Sequence, residues 1–272
     1  MTASSHAGPG GLGCTLSVLA AEAGKGLQLM RRRPAVPAMA AVTTGGIYLM
    51  IEFLVGGGHV SHALLAATLP ALFGYVLAST AAQQGSAGIA EEASSGTLDQ
   101  LYLSPVGMPL LLAGRIAAVT AEGLLPAVAL TAVYWAGFTI HYSVRAAALI
   151  PLALTVIDAA GYGLLMIALT MATASIGTIV HVFNMAIMFL GGMLVPVSVF
   201  PRGIGILIGF LPTALGARAL AALLAGRSLS AAWAHGPLPW LLLHSVAISG
   251  AGLATYLYTI RRARQEGVPG PR

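Results

Sequence analysis

The chain has 272 residues, of which 57% are hydrophobic and only 8% are charged. Soluble domains carry about a quarter charged residues, so this composition excludes a soluble globular protein and indicates a polytopic membrane protein. Lys and Arg outnumber Asp and Glu by 13 to 8, but no basic patch is interleaved with aromatic residues, so nucleic-acid binding is excluded. The single cysteine excludes a disulfide framework and a cysteine-based metal site.

The N-terminal part of the chain divides into two predicted segments. Residues 1–14 are rich in Gly, Ser and Ala and lack the basic start of a signal peptide, so they predict a disordered tail. In residues 15–34, apolar side chains recur at steps of three and four from Leu16 to Met30, and three arginines close the segment. This pattern predicts an interfacial amphipathic helix on the inner surface of the membrane.

Residues 35–262 predict an all-α membrane domain with six transmembrane helices. A bilayer span needs about 20 apolar residues. Basic residues flank the first span at 31–33 and follow the last span at Arg261, Arg262 and Arg264. The positive-inside rule therefore predicts cytoplasmic termini, a cytoplasmic tail at 263–272 and an even number of crossings. The predicted spans are 35–56, 62–83, 110–138, 146–174, 178–197 and 238–260.

The segment between the fifth and sixth spans is apolar but interrupted. Pro212 divides it, and Arg218 lies in its second half. A seventh crossing would also place the C-terminal arginines outside. We therefore expect a re-entrant region at 198–227, in which two short helices enter the outer leaflet and return.

A polar segment at residues 91–105, EEASSGTLDQLYLSP, interrupts the apolar chain after the second span. Thr97 and Gln100 fit a capping box, which predicts a helix starting at Leu98. Pro105 disfavours helical geometry at Ser104, so this helix is about two turns long. We expect residues 89–93 to continue the second span and Gly96 to permit the break. A short helix held below the membrane can transmit force from a soluble partner into two spans. The same spacing of residues also fits an ordinary solvated loop, so the spacing alone leaves both interpretations open.

Two separated segments resemble ABC-2 type transporter permeases. Residues 91–118 are similar to the cytoplasmic signature of that family, with Arg115 at its basic position, and residues 191–226 are similar to the segment after its fifth span. The acidic position of the first motif is doubled here as Glu91 and Glu92. The residues in register with the two motifs are Gly96, Thr97, Leu98, Asp99, Gln100, Ser104 and Pro105, then Pro196, Pro201, Pro212 and Arg218.

The resemblance implies a permease subunit of an ATP-driven ABC exporter in the inner membrane of a bacterium. It implies two partners, an ABC ATPase subunit that binds ATP and magnesium and a second permease chain in a homodimer or heterodimer. The transported molecule would be small and hydrophobic, such as a drug, an antibiotic or a lipid-like compound. The coupling region, 86–105, would dock on the ATPase through Glu91, Glu92, Gly96, Thr97, Leu98, Asp99, Gln100, Ser104 and Pro105.

This chain carries no predicted catalytic, cofactor-binding or metal-binding residue of its own. The nearest approach to a phosphate loop is Gly24-Lys25, but Leu19 stands where the first glycine belongs and Gly26 where Ser or Thr would bind magnesium. ATP hydrolysis must then come from the partner, and the chain is not expected to be an enzyme.

Three acidic residues inside the spans are candidates for the translocation pathway. Glu122 and Asp158 should lie near the bilayer midplane without a basic partner, where they either line a polar path or form an interhelical hydrogen bond. Glu52 should lie near the outer end of the first span, close to water. His181 and His244 are separated, and a lone histidine on an apolar helix is more often structural.

An alternative function uses the same acids. A proton- or ion-coupled secondary transporter would account for Glu122 and Asp158, but the sequence has no visible inverted repeat. It would also leave the polar segment at 91–105 without a role.

Overall fold

The computed structural model describes residues 35–96, 108–173 and 177–266, together with Gly24. The predicted tail at 1–14, the interfacial helix at 15–34 apart from Gly24, and the end of the C-terminal tail lie outside these residues. Six predicted coupling residues also lie outside them, namely Thr97, Leu98, Asp99, Gln100, Ser104 and Pro105.

The described residues fold into helices and turns, without a strand. Single turns of 3-10 helix occur at Ala146–Ala148 and Val197–Val199. The α-helices are α1 (Ala35–Val55), α2 (His62–Ser94), α3 (Met108–Gly137), α4 (Leu149–Ala172), α5 (Gly177–Leu190), α6 (Arg202–Ile208), α7 (Ala214–Leu224), α8 (Leu229–Ala234) and α9 (Leu238–Glu266).

Among the described helices, five are long and apolar enough to cross a membrane, namely α1, α2, α3, α4 and α9. They fall on five of the six predicted spans, and the starts of α1, α2 and α9 coincide with the predicted ones. As predicted, α2 continues past residue 83 and ends at Ser94. The protein is therefore a multi-pass membrane protein.

The fifth predicted span is shorter than its hydropathy suggests. Helix α5 has 14 residues and ends at Leu190 instead of continuing to residue 197. At ~1.5 Å per residue it is about 21 Å long, less than the ~30 Å hydrocarbon core. A glycine pair ends it, because Gly192 adopts a φ of 93°, which the right-handed helix does not accommodate. The predicted span followed the apolar run past Gly191 and Gly192, although this pair of glycines ends the helix.

Helices α2 and α4 form the centre of the bundle. Within the span of α2, 72% of the residues are buried, against 17% in α1 and in α3. Helix α2 packs on α3, α4 and α7, while α4 has its most extensive contact with α9. Glycine allows that last contact, since an ideal Cβ on Gly161 would lie 2.8 Å from the backbone nitrogen of Ser249. The outer faces of the remaining long helices are left for lipid.

Residues 198–227 contain two short α-helices, α6 and α7, whereas their re-entry into the outer leaflet stays a prediction. Residues 209–213, which include Pro212, separate α6 from α7 and are called the 209–213 break below. Thr213 has a φ of 65°, a left-handed conformation that is uncommon for a β-branched residue. Helix α7 continues from this residue and packs on α2, α4 and α9.

Candidate functional site

One end of the bundle, called the Glu92 end below, holds the end of α2 and the start of α3. A buried cluster joins Ile89 of α2, Leu112 of α3 and Ile260 of α9 there. Helix α2 stops because the hydroxyl of Ser94 donates to the carbonyl of Glu91 at 3.0 Å and Gly96 takes a φ of 71°. Gly96 thus follows the end of α2, as predicted, within the polar segment at 91–105.

Glu91 and Glu92 lie in different surroundings. Nη2 of Arg115 in α3 lies 2.6 Å from both carboxylate oxygens of Glu92. The two side chains are only 23% and 15% exposed, so this ion pair is partly shielded from water. Glu91 points into solvent. The doubled acid therefore separates into one residue that ties α2 to α3 and one that is free to meet a partner.

A polar cavity of about 610 Å³ opens between α2, α4 and α5 at the Glu92 end. Its wall contains amides, hydroxyls and one imidazole, and no Asp, Glu, Lys or Arg side chain among the described residues. Such a wall suits an uncharged guest that has both apolar and hydrogen-bonding groups. The lining residues are Gln83, Gln84, Ser86, Ala87, Ala90, Thr170, Gly177, Thr178, Val180, His181 and Asn184.

Asn184 is the most buried polar residue of this cavity, with 2% exposure. The hydroxyl of Tyr162 donates to its Oδ1 at 3.1 Å. Within the described part of the chain, its Nδ2 and the Oγ of Ser86 have no hydrogen-bond partner. A buried donor without a partner costs about 1–3 kcal/mol. Because this Nδ2 has almost no exposed surface, the Asn184 side chain must rotate before a guest in the cavity can accept its hydrogen bond.

The three acids predicted for the translocation pathway are not brought together. None of Glu52, Glu122 and Asp158 lines the polar cavity. Glu122 is half-buried on α3, and no described residue forms a hydrogen bond or an ion pair with its carboxylate. Neither a partner among the described residues nor the polar cavity therefore supports the predicted role of Glu122 in the translocation pathway.

The expectation that Asp158 lacks a basic partner is wrong. Its Oδ1 lies 2.6 Å from Nδ1 of His244 in α9, and its Oδ2 accepts the backbone N–H of Thr213 at 2.6 Å. The side chain is 1% exposed, whereas that of His244 is 15% exposed. The partner was missed because the two residues are 86 positions apart, and only the packing of α4 on α9 brings them together.

The expectation that Glu52 is close to water is also wrong. Glu52 has no exposed surface. Its Oε1 accepts the hydroxyl of Thr68 at 2.6 Å, and the same hydroxyl lies 2.9 Å from that of Tyr48. Oε2 has no partner among the described residues. The Glu52 side chain is covered because Thr68 of α2 packs against it, which hydropathy along the chain does not reveal.

Two residues in the membrane domain make polar contacts whose partners the sequence did not reveal. His244 is structural, as expected for a histidine on an apolar helix, and both of its ring nitrogens are within hydrogen-bond distance of oxygen atoms. Asn184 gave no signal because one amide in an apolar helix matches no motif. Helical spacing does place Asn184 one turn from His181 and two turns from Gly177, which is the face that lines the cavity.

Comparison with known proteins gives one family. The family model of the ABC-2 type transporter matches residues 19–224, more than half of the chain. The match includes the polar segment at 91–105 and nearly all of the segment at 191–226. No curated protein matches the chain.

Proposed function

The chain belongs to the ABC-2 type transporter family, and on that premise we propose that it is the permease subunit of an ATP-driven exporter of a small hydrophobic molecule. Members of this family are transport permeases, not catalytic domains, and they typically work with an ATPase subunit. The energy would come from a separate ABC ATPase that binds ATP and magnesium. A second permease chain, identical or different, would complete the pathway in the inner membrane of a bacterium.

The observation that carries this proposal is the coincidence of two features at the Glu92 end. The exposed Glu91 marks the point at which the family's coupling segment leaves the bundle. The polar cavity between α2, α4 and α5 opens at this same end. Helix α2 contributes both to the cavity and to the turn, so a force applied at residues 91–96 acts directly on the cavity wall.

We assign different roles to the two acids. Glu92 would fix the end of α2 to α3 through Arg115, and Glu91 would face the ATPase. The remaining coupling residues, from Thr97 to Pro105, keep the roles that the family resemblance implies. In this arrangement the ion pair makes α2 and α3 move as one unit when the ATPase changes conformation.

A sixth crossing completes the proposed topology. Helix α5 and the residues after it, 191–196, would span the membrane together, since the ~21 Å of the helix leaves roughly 9 Å of the ~30 Å hydrocarbon core for those residues. Residues 191–194 are buried, and irregular backbone at membrane depth is tolerated where protein covers it. Six crossings would place both termini in the cytoplasm and the α6–α7 pair at the outer face, as a re-entrant region.

The cavity defines the proposed substrate. Its wall is uncharged among the described residues and offers the unpaired donor of Asn184. We expect an apolar molecule with a carbonyl, ether or hydroxyl group that accepts a hydrogen bond. A proton-coupled transporter using Glu122 and Asp158 is not favoured, because Asp158 is paired with His244 and neither acid lines the polar cavity at the Glu92 end.

Efflux of a hydrophobic fluorescent dye tests this function in cells that express the permease with an ABC ATPase from the same genome. We expect dye efflux that needs both proteins and is lost in Glu91→Lys. Glu92→Lys should also fail, because it places a second cation beside Arg115. The double variant Glu92→Lys with Arg115→Glu restores the pair in reverse and should recover efflux.

Two outcomes would oppose the assignment. Efflux that persists when the ATPase is absent or catalytically dead would contradict an ATP-driven exporter. The second outcome is efflux that survives Glu91→Lys but is not recovered by the reversed pair. The contact with the ATPase would then be assigned to Glu92 instead of Glu91. Arg261→Glu, at an exposed position on α9 of the same end, is the matched charge-reversal control.

A further inference from the structure

We propose that Asp158 and His244 are positioning residues that hold the 209–213 break closed against α4 and α9. This inference deepens the proposed function and rests on it in one respect. If the protein is an exporter, opening of the break would form the outer exit of the pathway. The positioning itself is a property of the permease alone. Neither residue lines the polar cavity at the Glu92 end.

Three parts of the chain meet at this pair. Asp158 comes from α4 and His244 from α9, and their side chains are 2.6 Å apart. Asp158 also accepts the backbone N–H of Thr213 at 2.6 Å, while Nε2 of His244 lies 3.2 Å from the carbonyl oxygen of Phe210. The pair therefore holds the break at two points, three residues apart.

The contacts of His244 show how the pair is charged. Both ring nitrogens face oxygen atoms, one of a carboxylate and one of a carbonyl. A neutral imidazole has a single N–H, so making both hydrogen bonds requires one more proton on the Asp158–His244 unit. Whether that proton is on the imidazole or on the carboxyl group, the pair is neutral overall, which suits a site where a single charge is costly. Loss of either side chain leaves the other with an unpaired buried group and releases one of the two points on the break.

The break is held in a conformation that it would not adopt alone. Thr213 has a φ of 65°, and such a conformation in a β-branched residue persists only where the surroundings impose it. Gly74 of α2 is pressed against it, since an ideal Cβ at that position would lie 2.8 Å from the Cβ of Thr213. The N–H of Thr213 is the group that Asp158 binds. A strained residue, a close backbone contact and a buried pair thus converge on the same segment.

The packing of α9 on α4 does not depend on this pair alone. The hydroxyl of Ser245, the next residue, lies 3.1 Å from the carbonyl oxygen of Leu154 in α4 and 2.8 Å from that of Leu241. Ser245 is as buried as Asp158, at 1% exposure. It joins the same two helices without touching the break. Ser245→Ala is therefore a matched control that weakens the helix contact and leaves the two points on the break intact.

Cysteine labelling measures whether the break opens. The chain has one cysteine, Cys14, so Cys14→Ser provides a background for a single reporter. Thr213→Cys places that reporter at a position with 3% exposure. The purified permease is reconstituted in nanodiscs, where both faces meet a water-soluble maleimide. A second reporter, Ala232→Cys on α8, has 2% exposure and does not touch the pair.

We expect slow labelling of Thr213→Cys in the background protein, because the maleimide reacts only when the break opens. Asp158→Ala and His244→Ala should each raise this rate by about tenfold or more, since each removes one of the two points that hold the break. Ser245→Ala should leave it unchanged. The rate at Ala232→Cys should be the same in all of these proteins.

Two results would overturn the proposal. One is labelling of Thr213→Cys that is no faster in the pair variants than in Ser245→Ala. The other is an equal rise at Ala232→Cys, which would show general loosening of the outer helices. If Thr213→Cys does not fold, Leu211→Cys, half-buried in the same break, serves as the reporter. Because the measurement needs neither ATPase nor substrate, it stands or fails separately from the exporter function.

Discussion

Two charged pairs among the described residues join helices, and they differ in burial. Glu92 and Arg115 are 23% and 15% exposed and join the end of α2 to the start of α3. Asp158 is 1% exposed, and with His244 it also binds the backbone of the 209–213 break. A partly exposed pair adds little to stability, whereas a buried pair that loses one member is strongly destabilising. The comparison therefore separates a pair suited to transmitting movement from one that holds the fold.

The largest effect is expected from breaking the buried pair. Asp158→Ala should lower the free energy of unfolding by about 3–5 kcal/mol, because His244 loses its buried partner and the N–H of Thr213 loses its acceptor. Thermal unfolding of the purified permease in detergent measures this change. Ser245→Ala is the control, and a loss for Asp158→Ala as small as that of an exposed substitution would remove the contrast between the two pairs.

A buried acid without a cationic partner provides the next test. Thr68 donates to Glu52 at 2.6 Å. Thr68→Val should lower the free energy of unfolding by about 1–3 kcal/mol, because it leaves the buried carboxyl without this donor. The same thermal unfolding assay applies, with Thr173→Val, an exposed threonine, as the control. Equal stability of the two variants would show that water reaches Glu52 after all.

The partly exposed pair should matter less for the fold. Arg115→Ala should cost about 1 kcal/mol in unfolding free energy, near the upper end for exposed ion pairs. The reversed pair, Glu92→Lys with Arg115→Glu, should recover most of that loss. A cost for Arg115→Ala that equals that of Asp158→Ala would mean that Glu92 and Arg115 also hold a buried structure.

The smallest effect on stability is expected at Glu91. This side chain is exposed, and surface substitutions usually change the free energy of unfolding by less than about 0.5 kcal/mol. Glu91→Lys should therefore unfold at the same temperature as the unmodified permease while ATPase coupling is lost. If coupling and stability fall together, the acid belongs to the fold and not to the contact with the partner.

Local patterns predicted most of the helices. The starts of α1, α2 and α9 follow from runs of apolar residues, and the end of α2 follows from Gly96. The length of α5 does not follow from such a run. Hydropathy averaged along the chain does not register Gly191 and Gly192, which end the helix through their backbone geometry.

The candidate site was predicted only where its residues are close in sequence. The family motif located the turn and Arg115, but it did not show which of Glu91 and Glu92 the arginine binds. The pair of Asp158 and His244 depends on the packing of α4 against α9, and the environment of Glu52 depends on the position of Thr68. Contacts of this kind are set by tertiary structure, and spacing along the chain carries no signal for them.

ATP hydrolysis by the partner ATPase, measured with and without the permease in nanodiscs, tests the proposed function most directly. We expect the ABC ATPase to co-purify with the unmodified permease and to hydrolyse ATP at a rate that depends on it. Glu91→Lys should abolish that dependence in a permease that is still folded. A hydrolysis rate that is the same with the permease, without it and with Glu91→Lys would contradict coupling through the Glu92 end.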